Sequence, residues 1–429
     1  MITLRPYQER IAAQGLAILQ DHGILCLSMA VRTGKTLTAL TIADRVAAKR
    51  ILFVTKKKAI PSIQEDYDTL NPQYTIALTN FERLHQVTGT FDLVIVDESH
   101  SIGAYPRPSQ RAKRLRQLVG TTPLILLSGT PSPESYSQLF HQFWIAKRSP
   151  WAQYYNFYKW AEQYVNVFTQ NFKGLPVKNY SKARQDMVWS SCKHLFLSIT
   201  QEEAGFSAPV EEQILTVKLQ PHAVLAYRKL KDKKILYQSE DVVATVNSGA
   251  DLINKLCQIS SGTLIYDGCA DGRIIDVSKA HFILHYFAGK KIAIFYKYRA
   301  EYEVLRKFYP DHTSIPEEFN ASGSLTFIGQ VQSAREGTDL SSADALVMYN
   351  IDFSATSYWQ ARARIQSKDR QGSAPLYWIF SEHGIETKVY RAVQDKKNFT
   401  YSYYKKHHSN ELELQRNPGS RVHAASTLF

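Results

Sequence analysis

The first 140 residues alternate two kinds of stretch. Short runs of consecutive apolar residues are separated by longer segments in which apolar positions recur every three or four residues. The second pattern puts apolar side chains on one face of a helix; the first fills a strand buried on both sides. The spacing predicts helices over 10–20 and 36–49 and around 62–70, and strands over 24–27, 51–54, 93–96 and 124–127. Strands joined through helices pair in parallel, with helices covering both faces of the sheet. The same alternation returns after about residue 211. It gives a strand over 213–219, a helix over 220–236, and strands over 292–296, 325–328, 345–349 and 376–380. The expected fold is α/β, with two tandem parallel-sheet domains.

The stretch between them breaks the pattern. Over 140–172, 12 of 33 positions are aromatic, where the chain average of 12% predicts about four. This predicts a helical, aromatic-rich insertion, its rings packing a small subdomain or, alternatively, stacking on bases. The expected units are a first domain over 1–140, insertion and linker over 141–210, a second domain over 211–398 and a polar tail over 399–429. No repeat and no Gly/Ser- or Pro-rich linker interrupts them.

Composition narrows the class. The 429 residues are 44% hydrophobic and 21% charged, which is globular and enough for two to three cores. No apolar run reaches the ~18 residues of a membrane helix, and the first ten residues lack the pattern of a secretory leader. Four scattered cysteines without a C-x-x-C argue against a disulfide framework or a zinc site, and fit a cytoplasmic location. The formal net charge of +13 favours a polyanionic partner, most often nucleic acid.

Three motifs then carry chemistry. The strand over 24–27 runs into Ser28-Met29-Ala30-Val31-Arg32-Thr33-Gly34-Lys35-Thr36 and a helix. This is a phosphate loop with Met29 where the first Gly of G-x-x-x-x-G-K-T stands. Backbone N–H groups from Arg32 to Thr36 and the helix N-terminus would cradle phosphates. Lys35 would neutralise the β- and γ-phosphates, and the Thr36 hydroxyl would ligate Mg²⁺. The strand over 93–96 ends in Asp97-Glu98-Ser99-His100, which aims two carboxylates at the same sheet edge. Asp97 would hold Mg²⁺ and Glu98 would polarise the attacking water. The next strand ends in Ser128-Gly129-Thr130-Pro131, whose hydroxyls can bond the carboxylate turn and a neighbouring domain.

In this order Arg5-Pro6-Tyr7-Gln8, the G-K-T loop, D-E-S-H and S-G-T-P resemble the first motor domain of superfamily-two helicases. The second half resembles its partner. Tyr296-Lys297-Tyr298 follows a strand as motif IV does, and Ala334-Arg335-Glu336-Gly337-Thr338-Asp339-Leu340 is similar to motif V. Gln360-Ala361-Arg362-Ala363-Arg364 matches the start of motif VI. Leu256 to Gly262 resembles the L-R-Q-I segment of the Snf-type, chromatin-remodeller-like branch, and the likeness is greatest to compact Snf-like DNA-dependent ATPases of bacteriophages and bacteria. It spans about residues 4–395.

The resemblance implies two RecA-like domains closing on ATP and Mg²⁺. Gln8 would read the adenine with Tyr7 or Arg5 beside the base. Gly337 and Asp339 would line the cleft, and Gln360 and Arg364 would reach the γ-phosphate. His100, Ser128, Gly129 and Thr130 would couple hydrolysis to movement. Thr55, Lys56, Thr79, Asn80, Tyr296 and Ser333 would follow a DNA backbone. The basic run over 107–116, with Arg111 and Arg114, could extend that track. One departure stands out: the family pattern is Q-x-x-G-R-x-x-R, and here Ala363 replaces the Gly and Ser367 the second Arg. The helix after Asp352-Phe353-Ser354 is expected to carry Gln360 and Arg364 on one face. That favours Arg364 as the main γ-phosphate contact, with Arg362 pointing elsewhere on a regular helix; Arg362, Lys368 or Arg370 in its place, or partial loss of the contact, are the alternatives.

The implied function is an ATP-hydrolysing, monomeric motor on DNA without sequence readout, a translocase or a helicase that remodels forks by branch migration. A nucleotide-dependent switch or recruitment protein with weak hydrolysis is the alternative.

Overall fold

The computed structural model describes residues 3–172, 175–206, 210–238, 241–268, 272–334, 338–351, 354–366 and 373–394. Its first unit is a six-stranded sheet with strands β1 (Ile24–Met29), β2 (Arg50–Thr55), β3 (Thr75–Asn80), β4 (Leu93–Val96) and β5 (Leu124–Leu127). An antiparallel ribbon, β6 (Phe168–Phe172) with β7 (Leu175–Asn179), follows, and β8 (Phe196–Ile199) completes the sheet. The order across it is β3-β2-β4-β5-β1-β8, parallel throughout.

Alternation along each strand sorts side chains onto two faces. Leu25, Leu27, Met29, Ile51, Phe53 and Ile125 face the helices Pro6–His22 and Lys35–Arg45. Cys26, Leu52, Val94, Val96 and Leu126 face the other way, against Phe140, Phe143, Trp151 and Trp160. Both faces are dry, so the strands read as continuous apolar runs. β3 does not: as an edge strand it is largely half-exposed, and its mixed sequence Thr-Ile-Ala-Leu-Thr-Asn hides it from a pattern search.

The aromatic stretch is therefore part of the first unit. Trp151, Phe157 and Trp160 are at most 2% exposed and share one core with the sheet. The chain then returns to pair β8 beside β1, with Met29 opposite Ile199. The expected boundary at residue 140 does not coincide with the end of this sheet. The insertion is also not purely helical, because the β6–β7 ribbon lies between the helices Phe157–Tyr164 and Gln185–Cys192.

The second unit opens with β9 (Val210–Val217). Two small antiparallel pairs, β10 (Ile235–Gln238) with β11 (Asp241–Thr245) and β12 (Thr263–Leu264) with β13 (Arg273–Ile274), cover its flank. The strands β14 (Ile292–Tyr296), β15 (His312–Thr313), β16 (Thr326–Gln330), β17 (Ala345–Met348) and β18 (Ala374–Ser381) join β9 in a second parallel sheet. Its order is β15-β16-β14-β17-β18-β9. Phe295, Met348, Trp378 and Phe380 fill one side and Ile294, Val347 and Ile379 the other. No helix among the described residues is long and apolar enough to cross a membrane.

Candidate nucleotide site between the two sheets

Strand order brings the first three motifs together. β4, β5 and β1 are consecutive in the sheet, so the loops after them emerge side by side at its C-terminal edge. Met29 is the last residue of β1 and fully buried, paired to Ile199. The first glycine of the motif is thus replaced where the chain is still a strand and needs no positive φ. The second position does need glycine. Gly34 has φ +79°, and a Cβ there would lie 2.2 Å from the Gln8 amide nitrogen. Arg32 also takes a left-handed conformation, φ +66°, which costs a non-glycine residue of order 1 kcal/mol or more.

Gln8 is buried and locks this loop to the first helix. Its Oε1 accepts from the Arg5 N–H at 2.9 Å, and its Nε2 donates to the Thr33 carbonyl at 3.4 Å. The Tyr7 hydroxyl donates to the same carbonyl at 3.0 Å, and Arg5 lies 3.5 Å from that hydroxyl. The Thr33 hydroxyl closes the turn onto Ala30 O at 2.7 Å. Lys35 reaches back to the carbonyls of Met29 and Ala30 at 3.1 and 3.3 Å. Gly129 belongs to the same cluster, since a Cβ on it would lie 3.8 Å from Lys35 Nζ. Burial lowers the Lys35 pKa, with Glu98 and Asp97 opposing and Arg364 adding to the fall.

Asp97 accepts from the Thr55 hydroxyl at 2.9 Å. Burial, then Glu98, push its carboxyl up to about 6, against the pull of Lys35 and Thr55. Glu98 stands at φ +48°, a second strained non-glycine residue at this edge. His100 Nδ1 sits 3.3 Å from Glu98 and 3.1 Å from the Ser128 hydroxyl. Ser128 Oγ in turn accepts from the Thr130 N–H at 3.1 Å. The carboxylate turn and S-G-T-P are therefore one hydrogen-bonded unit. Gln142, which the sequence reading did not single out, ties it further. It accepts from Ser99 at 2.8 Å and donates to Pro131 O at 2.7 Å. Its one sequence signal is an amide inside the largely aromatic Leu139–Trp144 helix.

The second unit closes over this edge. Gln360 Nε2 donates to Glu98 Oε1 at 3.2 Å, while Gln360 Oε1 is buried without a partner. Arg32 crosses the gap: it pairs with Asp339 at 2.7 Å and donates to the carbonyls of Arg364 and Gln366. Burial raises the Asp339 carboxyl, but Arg32 and the Ser341 hydrogen bonds outweigh it and the net pKa is lowered. Arg364 is buried, within 3.4 Å of Thr338 O. Lys58 donates to Ser333 O at 3.4 Å.

Several expectations are corrected. The helix Ala355–Arg362 stops before Arg364, which lies in the turn after it; Gln360 and Arg364 do not share a helical face. Thr55 is fully buried against Asp97, so its hydroxyl serves the carboxylate instead of a DNA backbone. Asn80 is buried too, accepting from the Arg83 N–H at 2.9 Å. Arg114 spends its guanidinium on the carbonyls of Leu84 and Val87, and Arg111 pairs with Glu82 at 2.7 Å. Lys56 and Thr79 are half-exposed at the ends of β2 and β3, and Tyr296 is half-buried beside Tyr302 at the end of β14. Arg362 turns away as expected, onto Glu212 at 2.9 Å. Gly337, Ser367, Lys368 and Arg370 lie outside the described residues.

The donor set fits a magnesium nucleotide. A helix N-terminus and a lysine face two carboxylates, and a buried amide oxygen of Gln360 is left for a donor. Thr36 and Asp97 would hold the cation, which when bound neutralises phosphate charge. No group of three or more His, Cys, Asp or Glu side chains that could hold a metal ion occurs among the described residues.

A family model for the SNF2-related domain matches residues 31–261 of this chain. No curated protein matches it by sequence. Among solved structures, the chain is similar to a Sulfolobus solfataricus SWI2/SNF2 ATPase core in complex with dsDNA, at 14% identity and a TM-score of 0.43. That alignment covers 93% of this chain and 92% of the other. A second structure, described as the Sulfolobus solfataricus SWI2/SNF2 ATPase core domain, is also 14% identical at a TM-score of 0.41, covering 94% and 90%.

Proposed function

Because the chain belongs to the SNF2-related family, we propose that it is a DNA-dependent ATPase that turns hydrolysis into movement along DNA. The observation that carries this reading is the contact between the sheets. Gln360 of the second unit touches Glu98, which with Asp97 acts electrostatically on the lysine of the phosphate loop. A group at the catalytic edge is thereby linked to the neighbouring unit, as a motor that opens and closes requires.

Each residue has a role set by its place. Lys35 and the backbone N–H groups of the loop bind phosphates, where lysine in a dry site is worth more than in water. Asp97 and Thr36 would hold a magnesium ion, which would neutralise phosphate charge. Glu98 orients and polarises the attacking water, with His100 3.3 Å away holding the carboxylate in place. Arg364 supplies positive charge from the second unit, a contribution worth about 10³–10⁵ in rate where such an arginine acts. The Glu98–His100–Ser128 chain passes the state of the site to the loop after β5. DNA is held through phosphates, which gives affinity without sequence readout.

The test is ATP turnover measured alone and with single-stranded, duplex and branched DNA and with RNA. Stimulation by DNA supports the motor. Equal turnover with and without any nucleic acid refutes it and leaves the switch reading. Strand displacement on forked and four-way substrates then separates helicase from translocase.

A further inference from the structure

The β6–β7 ribbon stands out from the first unit with both faces exposed. Its register puts Phe168, Leu175 and Val177 on one side, and Thr169, Asn171 and Lys178 on the other. On that side Leu175 is 69% and Val177 43% exposed, next to the hydrogen-bonded Gln170–Asn179 pair, while Lys182 Nζ lies 4.7 Å from the centre of the Phe168 ring. A free apolar ribbon face costs solubility and is kept where it has a partner.

The base of the ribbon is rigidly placed. The Ser135 hydroxyl donates to Ser181 O at 2.7 Å and the Ser137 hydroxyl to Tyr180 O at 2.6 Å. The Asn166 N–H donates to Lys182 O at 2.8 Å and the Arg184 N–H to Tyr164 O at 2.7 Å. Ser135 is four residues past Pro131, so the ribbon springs from the same sheet edge as the nucleotide loops. Tyr158, 41% exposed, packs edge-on against Tyr180 beside this base, and Tyr155, three residues earlier, is 73% exposed.

Charge identifies the partner. Between Gln163 and Gln185 the sequence carries Lys173, Lys178, Lys182 and Arg184 and no acidic residue. A polyanion satisfies that set. A duplex, however, presents mainly phosphates and sugars, which give Leu175, Val177 and the tyrosine rings nothing to bury against. An unpaired strand offers phosphates to the lysines and open base faces to the apolar and aromatic side chains. We propose that the β6–β7 ribbon, with Tyr158 at its base, is a contact surface for unpaired DNA next to the duplex on which the motor acts. The inference rests on the DNA-motor reading and adds a preference for junctions between paired and unpaired DNA.

The experiment uses the full chain and fluorescence anisotropy without ATP. One labelled probe is a forked duplex with unpaired arms, the other a blunt duplex of the same paired sequence. Wild type is expected to bind the fork more tightly. The double variant Leu175→Asp/Val177→Asp, which places carboxylates against phosphates, is expected to lose about tenfold or more on the fork and little on the blunt duplex. Lys178→Ala should lower the slope of log affinity against log salt on the fork by about 0.7. These side chains are exposed, so melting temperatures should not move. Unchanged fork binding in both variants, or equal losses on both probes, overturns the proposal. Fork binding that follows these expectations in a protein without DNA-stimulated turnover would leave the ribbon standing and sink the motor.

Discussion

Glu212 offers a sharp test of how the second unit holds its catalytic helix. Its carboxylate, on edge strand β9, accepts from four donors: the Tyr358 hydroxyl, Arg362 Nε at 2.9 Å, the Tyr390 hydroxyl at 2.9 Å and Trp378 Nε1 at 3.3 Å. Tyr358 and Arg362 flank Gln360 on one helix, so the cluster fixes where Gln360 points. Glu212 is 12% and Arg362 21% exposed as side chains, so the pair is mostly but not wholly dry. Removing one partner of a fully buried pair costs about 3–5 kcal/mol. Partial exposure argues for the lower end, about 3 kcal/mol in Glu212→Ala. For a unit of this size that lowers the melting temperature by about 6–12 °C. Glu212→Gln keeps one acceptor but turns an amide N–H₂ toward donors, and should fall between. Glu211→Ala, on the exposed neighbour, should stay within about 0.5 kcal/mol. Melting followed by tryptophan fluorescence suits the test, because Trp378 touches the carboxylate. ATP turnover should fall with the misplaced helix, while the phosphate loop, in the other unit, keeps its nucleotide affinity. A melting temperature in Glu212→Ala no lower than in Glu211→Ala would refute the reasoning.

Further outcomes follow from the cleft. Lys35→Ala should weaken ATP binding by about 10–100-fold, the worth of a hydrogen bond to a charged group, whereas Glu98→Gln should bind normally and lose about 10²–10⁴ in turnover; equilibrium binding and steady-state hydrolysis separate the two. Arg364→Ala should cut DNA-stimulated turnover at least about 10³-fold with DNA binding intact, and Arg362→Ala should chiefly lower the melting temperature; reversed phenotypes would move the γ-phosphate contact. Asp97 has its folded pKa raised to about 6 from 3.8. The nucleotide-free fold therefore binds that proton more tightly than the unfolded chain, and its stabilising effect is lost as pH rises from about 4 through 6. Asp97→Asn should thus match wild-type stability below that window and exceed it above, as melting across pH in the absence of magnesium would show.

Much of this was legible in the residues. Apolar runs marked β1, β2, β4 and β5 because both faces of a central parallel strand are dry, and the motifs sat at their ends. The edge strands were not. β3 is half-exposed, and β8, Phe-Leu-Ser-Ile, is separated by three residues from the helix Gln185–Cys192, with no alternation to flag it. Three residues of the expected DNA track were misplaced for a related reason. Threonine, asparagine and arginine near a sheet edge look alike in sequence, yet Thr55, Asn80 and Arg114 are committed to internal partners. The motif VI helix was placed in the right region but drawn too long, because its end depends on tertiary contacts to Thr338 and Arg32. Gln142 and Glu212 carry no motif; only the fold shows what they hold.

The sheet order also has a bearing on how the chain is made. β1 leaves the ribosome before the other strands of its sheet, yet one of its two neighbours, β8, is synthesised about 170 residues later. Until then the strand that carries the phosphate loop has an open edge, and the aromatic layer that covers its outer face is also unfinished. The second sheet repeats the arrangement, since β9 must wait for β18. Pairings so distant in sequence are slow to form and leave sticky edges exposed meanwhile. Truncations ending between residues 140 and 195 should therefore aggregate, and nascent chains stalled at increasing lengths should gain protease resistance only once Ile199 has cleared the exit tunnel.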